Sequence, residues 1–277
     1  MPNRSVLLPV FALVLAAALA ACSGQSAPPE ATPVEPLALI TEAAARIRAV
    51  DTFRLDVNQE GPDYLIGTVY ANVLFRRATA QYVAPGVMQA DVSVIEPITG
   101  LRIDVGVYAD GADQWYRAIW TGNTWVNEAF AAGFNPEALI AEDTGFNAAL
   151  NAVIDLAYVG ETALESGVQV HHITGRARGE DVNALLVGLI ETVGEVGVEV
   201  YVAKDTLYPV RFVITEENSP YAVTPEPGEP AEPVVWIMDL YAINEPAQLD
   251  VPRAESTAES TAESETTNAP FLGAGGN

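Results

Sequence analysis

Polar and apolar residues alternate with a period of two along much of the chain. Val69, Ala71, Val73 and Phe75 share one side of one run, Met88, Ala90, Val92 and Val94 one side of the next, and Leu101, Ile103, Val105 and Val107 one side of a third. Thr68, Asn72, Gln89, Asp91, Arg102 and Asp104 occupy the opposite sides. The same alternation begins at Phe53, Leu55 and Val57. It returns at Val168 and Val170, at Val198, Val200 and Val202, at Val210, Phe212 and Ile214, and at Trp236, Met238 and Leu240. Successive strand side chains point to opposite faces, so the pattern predicts a large antiparallel sheet with one apolar and one wet face. Asp110-Gly111, Thr121-Gly122-Asn123 and Lys204-Asp205-Thr206 supply turns between the runs.

Three stretches change to helical spacing. Leu37, Ile40, Ala44 and Ile47 form one stripe. Asn135 caps a second helix, with Pro136 in its first turn and Phe146, Ala149, Leu150, Val153 and Ile154 as its apolar stripe. Val182, Leu185, Leu186, Leu189 and Ile190 form the third, after the acidic start Gly179-Glu180-Asp181. A few amphipathic helices and a one-sided sheet define an α+β domain over residues 37–252. No alternating βαβ units are present to suggest a nucleotide-binding parallel sheet.

The ends of the chain have a different character. Arg4 precedes Val6 to Ala20, an apolar run too short to span a bilayer comfortably, which predicts a signal peptide over residues 1–21. Leu19-Ala20-Ala21-Cys22 follows it and resembles the bacterial lipobox, in which the cysteine is acylated. Cys22 is the single cysteine of the chain, so no intramolecular disulfide or CxxC site is available. The lipidated Cys22 would begin a flexible Pro/Ala/Ser spacer over residues 22–36, and residues 253–277, with an Ala-Glu-Ser-Thr repeat, predict a disordered acidic tail. This organisation places the protein outside the cytoplasm, anchored to the cell membrane.

Charge narrows the partners. Without residues 1–21 the chain keeps 12 of 13 basic residues against 37 acids, a formal charge of −25, which repels nucleic acid and anionic lipid headgroups alike. No Gly-x-Ser-x-Gly elbow occurs, and an acylated Cys22 cannot serve as a nucleophile. His171 and His172 are adjacent in a predicted strand and point to opposite faces, so they cannot chelate one metal together. His171 is expected in solvent and His172 beside the helices. Trp115, Trp120 and Trp125, spaced five apart, serve either as cross-strand core residues or as the rim of an opening. The residues thus point to no catalytic site, no metal and no cofactor.

The order of these features resembles the bacterial LppX/LprAFG lipoprotein family: lipobox, spacer, short helix, repeated amphipathic strands, "FNPEALI", "VQVHHITGRARGEDVNALL" and the hairpin "VEVYVAKDTLYPVRFVI". The resemblance runs over most of residues 37–245, and the fold it implies also looks like that of the LolA/LolB lipoprotein carriers. It implies a strongly curved antiparallel half-barrel whose concave apolar face is covered by helices. Such a domain encloses a cavity for acyl chains of lipids or glycolipids carried through the cell envelope, and is not an enzyme. On that reading the lining comprises Val69, Val73, Phe75, Val92, Val94, Ile103, Val105 and Val107 from strands, with Leu139, Leu150, Leu185 and Leu189 from helices. The Pro/Glu-rich insert "NSPYAVTPEPGEPAEP" and the acidic tail depart from the family pattern. The same stripes would equally serve a solid core, making the alternative a structural lipoprotein that binds an envelope partner through its tail or insert.

Overall fold

The computed structural model describes residues 34–68, 71–223 and 232–252. The signal segment, Cys22, Val69, half of the Pro/Glu-rich insert and the acidic tail lie outside the described residues. In chain order the elements are α1 (Pro36–Ile47), β1 (Thr52–Glu60), β2 (Leu65–Gly67), β3 (Asn72–Val83), β4 (Val87–Ile95), β5 (Arg102–Asp110), β6 (Asp113–Arg117) and β7 (Val126–Asn127). There follow α2 (Phe146–Asn151), β8 (Ile154–Ala163), β9 (Gln169–Arg178), α3 (Gly179–Val182), β10 (Glu195–Ala203), β11 (Pro209–Glu216) and β12 (Val234–Tyr241).

All twelve strands join one antiparallel sheet in the order β7-β6-β5-β4-β3-β1-β12-β11-β10-β9-β8, with β2 paired to β3. The first and last strands meet in the middle, where Leu55 lies opposite Leu240 on one side and Ala80 on the other. One face is predominantly apolar, as the alternation requires. The parity changes once within β3: Phe75 pairs with Val94 but Arg77 pairs with Ser93, so Arg76 is the extra residue of a bulge. Val73 and Phe75 before it, and Ala78, Ala80 and Tyr82 after it, consequently share the concave face, while Arg76 reaches Asp63 at 2.7 Å.

The core is solid on one half of the sheet. Helix α1 buries Ile40, Ala43, Ala44 and Ile47 and lies against β8, β10 and β11. Phe212, Ile214, Trp236, Met238, Ile173, Val198 and Val200 join the residues of α1 and α2 in one buried cluster with almost no exposed surface. Phe146 of α2 stacks on Phe212 at 5.9 Å between ring centroids and contacts Phe53 edge-on at the same distance.

Helical content is lower than the periodicity predicts, and three corrections follow. The helix expected from residue 136 breaks into a 3-10 turn over Pro136–Leu139 and the six-residue α2, and Ile154 instead begins β8, where it is exposed. Gly145 explains the break: a Cβ there would lie 1.9 Å from the Leu139 carbonyl oxygen, so the chain doubles back tightly where a continuous helix would run straight. The third helix is a single turn, α3, continued by a 3-10 turn over Asn183–Leu186 and stopped by Val187 and Gly188, both at positive φ. Asn183 draws the chain back, its Oδ1 accepting from both the backbone N–H and the hydroxyl of Thr192 at 2.9 Å. Leu37 and Val168, both placed on apolar stripes, are exposed, because they lie at the edge of α1 and in the turn before β9.

The histidine assignment is reversed. His171 shares the concave-face parity of Ile173 and contacts the Tyr158 hydroxyl through Nδ1 at 3.1 Å. His172 lies on the outer face, 2.6 Å from Glu199 and stacked on Tyr201 at 4.4 Å. The segment after β12 straps this outer face: Gln248 exchanges two hydrogen bonds with Gln81, the Asp250 N–H donates to Gln89, and Asp250 pairs with Arg117.

Candidate functional site

The other half of the concave face is hollow. Helices α1 to α3 lie over the β8–β12 half, and the cavity face of β3, β4 and β5 is covered by the loops 130–134 and 186–190, with the 3-10 turn over Pro136–Leu139 against β4. Beneath them is a cavity of about 310 Å³. Where the solid half carries Trp236, Met238 and Phe212, this half carries Ala78, Ala80 and Ala90, and the missing side-chain volume leaves the void. Lining residues along β4 and the residue that follows it run from Met88 to Glu96, about 27 Å at 3.4 Å per residue. The hydrocarbon of one bilayer leaflet is about 15 Å thick, half of the core, so an extended acyl chain fits this track lengthwise.

The lining is almost wholly apolar, and its one carboxylate is already occupied. Glu96 accepts from the backbone N–H groups of Ile98 at 3.0 Å and Thr99 at 2.7 Å, and from the Thr99 hydroxyl at 2.6 Å. These bonds, the Thr99 hydroxyl first, hold its carboxyl below the usual range. Its charge is therefore tied to the β4–β5 turn at the end of the cavity. Thr68 is engaged in its own turn, donating to the Ala71 carbonyl at 2.7 Å.

Two buried polar clamps position the covering loops. Gln114 sits on the concave face of β6 at 6% exposure, surrounded by apolar neighbours. Its Nε2 donates to the carbonyls of Ala131 at 2.8 Å and Phe134 at 3.1 Å, and its Oε1 accepts from the N–H groups of Phe130 and Ala131 at 3.0 Å. With its amide saturated, Gln114 holds Phe130 and Phe134 over the void. On the other side, Asn183 with Thr192, Glu216 with the Val193 N–H at 3.1 Å, and the Tyr64 hydroxyl with the Glu191 carbonyl at 2.5 Å secure residues 187–193. This fastening presents Leu189 and Ile190 to the cavity. Burial raises the Tyr64 phenol above its ordinary pKa and keeps it a hydrogen-bond donor.

Eight of the residues read from sequence as lining surround this void: Val73, Phe75, Val92, Val94, Ile103, Val105, Val107 and Leu189. Leu139, Leu150 and Leu185 are buried but do not line it: Leu150 and Leu185 lie under α2 and α3 over the filled half, and Leu139 is in the 3-10 turn against β4. Val69 and Cys22 lie outside the described residues. Phe130, Phe134, Ile66 and the alanine floor were missed, since loop aromatics carry no periodicity and alanines read as neutral in a strand. The one available signal was Gln114, a polar residue sharing the parity of Tyr116 on an otherwise apolar face. The tryptophans divide: Trp120 lines the cavity at 57% exposure, whereas Trp115 packs on Tyr108 of the outer face, and Arg117 lies 4.5 Å over Trp125.

Among the described residues no group of three or more His, Cys, Asp or Glu could hold a metal ion, and no helix is long and apolar enough to cross a membrane. Comparison with curated proteins gives no significant match. Among solved structures, LprF from Mycobacterium bovis superposes with a TM-score of 0.56 at 13% identity, covering 78% of this chain and 95% of that one. The Mycobacterium tuberculosis lipoprotein LppX gives 0.49 at 17% identity, covering 78% of this chain and all of that one. The first likeness extends to the fold alone; the sequence carries the kinship, because the LppX_LprAFG lipoprotein family model matches residues 35–234. The chain belongs to the LppX_LprAFG lipoprotein family.

Proposed function

We propose that this chain is a non-enzymatic lipoprotein that holds acyl chains of a lipid or glycolipid in the cavity under β3–β5 and carries them in the cell envelope. The observation that carries this reading is the hollow half of an otherwise tightly packed domain. An apolar void of this size in a core built to native density is costly unless something apolar fills it. The energetics suit a carrier. A chain of about sixteen methylenes gains on the order of 13 kcal/mol on leaving water at about 0.8 kcal/mol each, but it has that gain already in a bilayer. A carrier must match the membrane, which requires a lining without free charge or unpaired polar groups. Glu96 meets this requirement by spending its carboxylate on the turn.

Native mass spectrometry and solvent extraction of the protein purified from bacterial membranes test the reading. Lipid recovered at fixed stoichiometry is the expected result. A homogeneous empty mass that persists after incubation with envelope lipids would overturn it, and would favour a domain that binds a protein partner through its insert or tail. Cys22 is the proposed anchor on an extracytoplasmic membrane face. Cys22→Ser is expected to abolish incorporation of labelled fatty acid into the protein, and undiminished labelling would refute acylation at that position.

A further inference from the structure

We propose that the end of the cavity bounded by the β2–β3 and β4–β5 turns is a docking surface for a phospholipid bilayer, inserting apolar tips so that lipid passes between membrane and cavity without crossing water. The inference rests on the lipid-binding reading above and adds where and how the protein meets its lipid source. Three observations carry it.

The first is the position of the opening. Lining residues reach Thr68 and Ala71 at the β2–β3 turn, Glu96 at the end of β4, Ile103 at the start of β5, and the exposed Trp120. Leu101 lies just before β5 on the parity of Ile103, Val105 and Val107. It extends the apolar row of the cavity beyond the sheet, where it is 62% exposed.

The second is what stands around that opening. Ile98 at the tip of the β4–β5 turn is 91% exposed and Ile119, beside Trp120, is 76% exposed. The turn bearing Ile98 is not slack. Its N–H groups at 98 and 99 donate to Glu96, the Gly100 N–H donates to the Glu96 carbonyl, and the Glu96 N–H donates to the Leu101 carbonyl. Ile98 is therefore held outward on a rigid tip, at a cost in exposed apolar surface that a bilayer would remove.

The third is charge. The chain carries 37 acids, and 18% of its residues are charged. Yet residues 97–101 and 118–124, which carry the exposed apolar tips at this end, contain no charged residue; the carboxylates beside them are Glu96, engaged by the N–H groups of its own turn, and Asp104, paired with Arg102. The tips that would enter a membrane thus carry no charge of their own, and each neighbouring carboxylate is already paired or hydrogen-bonded. From Cys22 to Pro36 the chain could span at most about 50 Å when fully extended, which lets a tethered domain return this end to the surface. A bilayer, unlike a single protein partner, needs no shape complementarity from such separate tips.

The test uses the full chain with Ile98→Cys carrying an environment-sensitive fluorophore, mixed with phosphatidylcholine vesicles that contain a lipid-borne quencher. Wild type, labelled in parallel, controls for reaction at Cys22. Ala112→Cys, in the turn at the opposite end of β5 about 27 Å away along the strand, is the spatial control. Insertion by 5–10 Å at the tip predicts quenching of the Ile98 probe of about twofold or more, with the Ala112 probe unchanged. Equal quenching at both positions, or none at either, overturns the docking proposal. Lipid extracted from the same preparations separates this outcome from failure of the underlying reading: lipid present without quenching at Ile98 removes the docking surface and leaves the cavity its ligand. The double variant Ile98→Ser with Ile119→Ser, at two exposed positions outside the lining, is expected to retain its lipid at equilibrium but to exchange it with vesicles about tenfold more slowly. An unchanged exchange rate would also overturn the proposal.

Discussion

Val92→Trp and Val105→Trp each lower the lipid recovered with the protein about tenfold or more, with little loss of folded stability. The two residues lie directly opposite one another on β4 and β5, both half-buried and both facing the cavity. An indole introduced at either position has a void to occupy, so it does not meet the overpacking cost of about 1–3 kcal/mol that a filled core imposes. An acyl chain entering afterwards does meet that cost, because the indole must be displaced or compressed, and 1.4 kcal/mol is a factor of ten in binding. Quantitative lipid extraction, paired with thermal unfolding, measures both halves of the prediction. Undiminished lipid in both folded variants would show that the ligand lies elsewhere than in this void.

Phe212→Ala has the opposite profile: a loss of about 3–5 kcal/mol in stability. Phe212 has no exposed surface, stacks on Phe146 and lies in the filled half of the sheet, away from the cavity lining. Its removal leaves a hole among α1, α2 and β11 that neighbours locked into a sheet cannot collapse to fill. For a domain of this size each kcal/mol corresponds to about 2–4 °C in Tm, so the melting temperature is expected to fall by about 6–20 °C. Below the transition, lipid content per folded molecule should be unchanged. A fall in lipid content matching that of Val92→Trp would mean that the two halves of the sheet are not separable as core and cavity. Together the substitutions assign different work to the two halves: one stabilises, the other accommodates.

The contrast between these two positions also marks how far the sequence could be read. Val92 and Phe212 looked alike in it, each an apolar residue at the inward parity of an alternating strand. Parity correctly placed both on the concave face, because a strand's side chains alternate whatever packs against them. The helical stripes were weaker guides. Spacings of three and four at Val182, Leu185, Leu186 and Leu189 record that each residue faces inward, and a single helical turn followed by a 3-10 turn and a folded-back loop satisfies that demand as well as a long helix does. Leu150 and Leu185, inward-facing on those stripes, lie in the buried core cluster and not around the cavity.

The sequence by itself determined the one-sided antiparallel sheet, the turns that punctuate it and the apolar row of β3, β4 and β5, since these depend on local alternation and on backbone conformations that a few residues dictate. Only the tertiary structure decided that the helices gather over β8–β12, that Gln114 suspends Phe130 and Phe134 over the remaining strands, and that the alanines of β3 and β4 face a void. The reason is one of dimension: a strand's pattern specifies the direction in which a side chain points, whereas a cavity is defined by the distance to whatever stands opposite. That distance is set by segments far away in the chain.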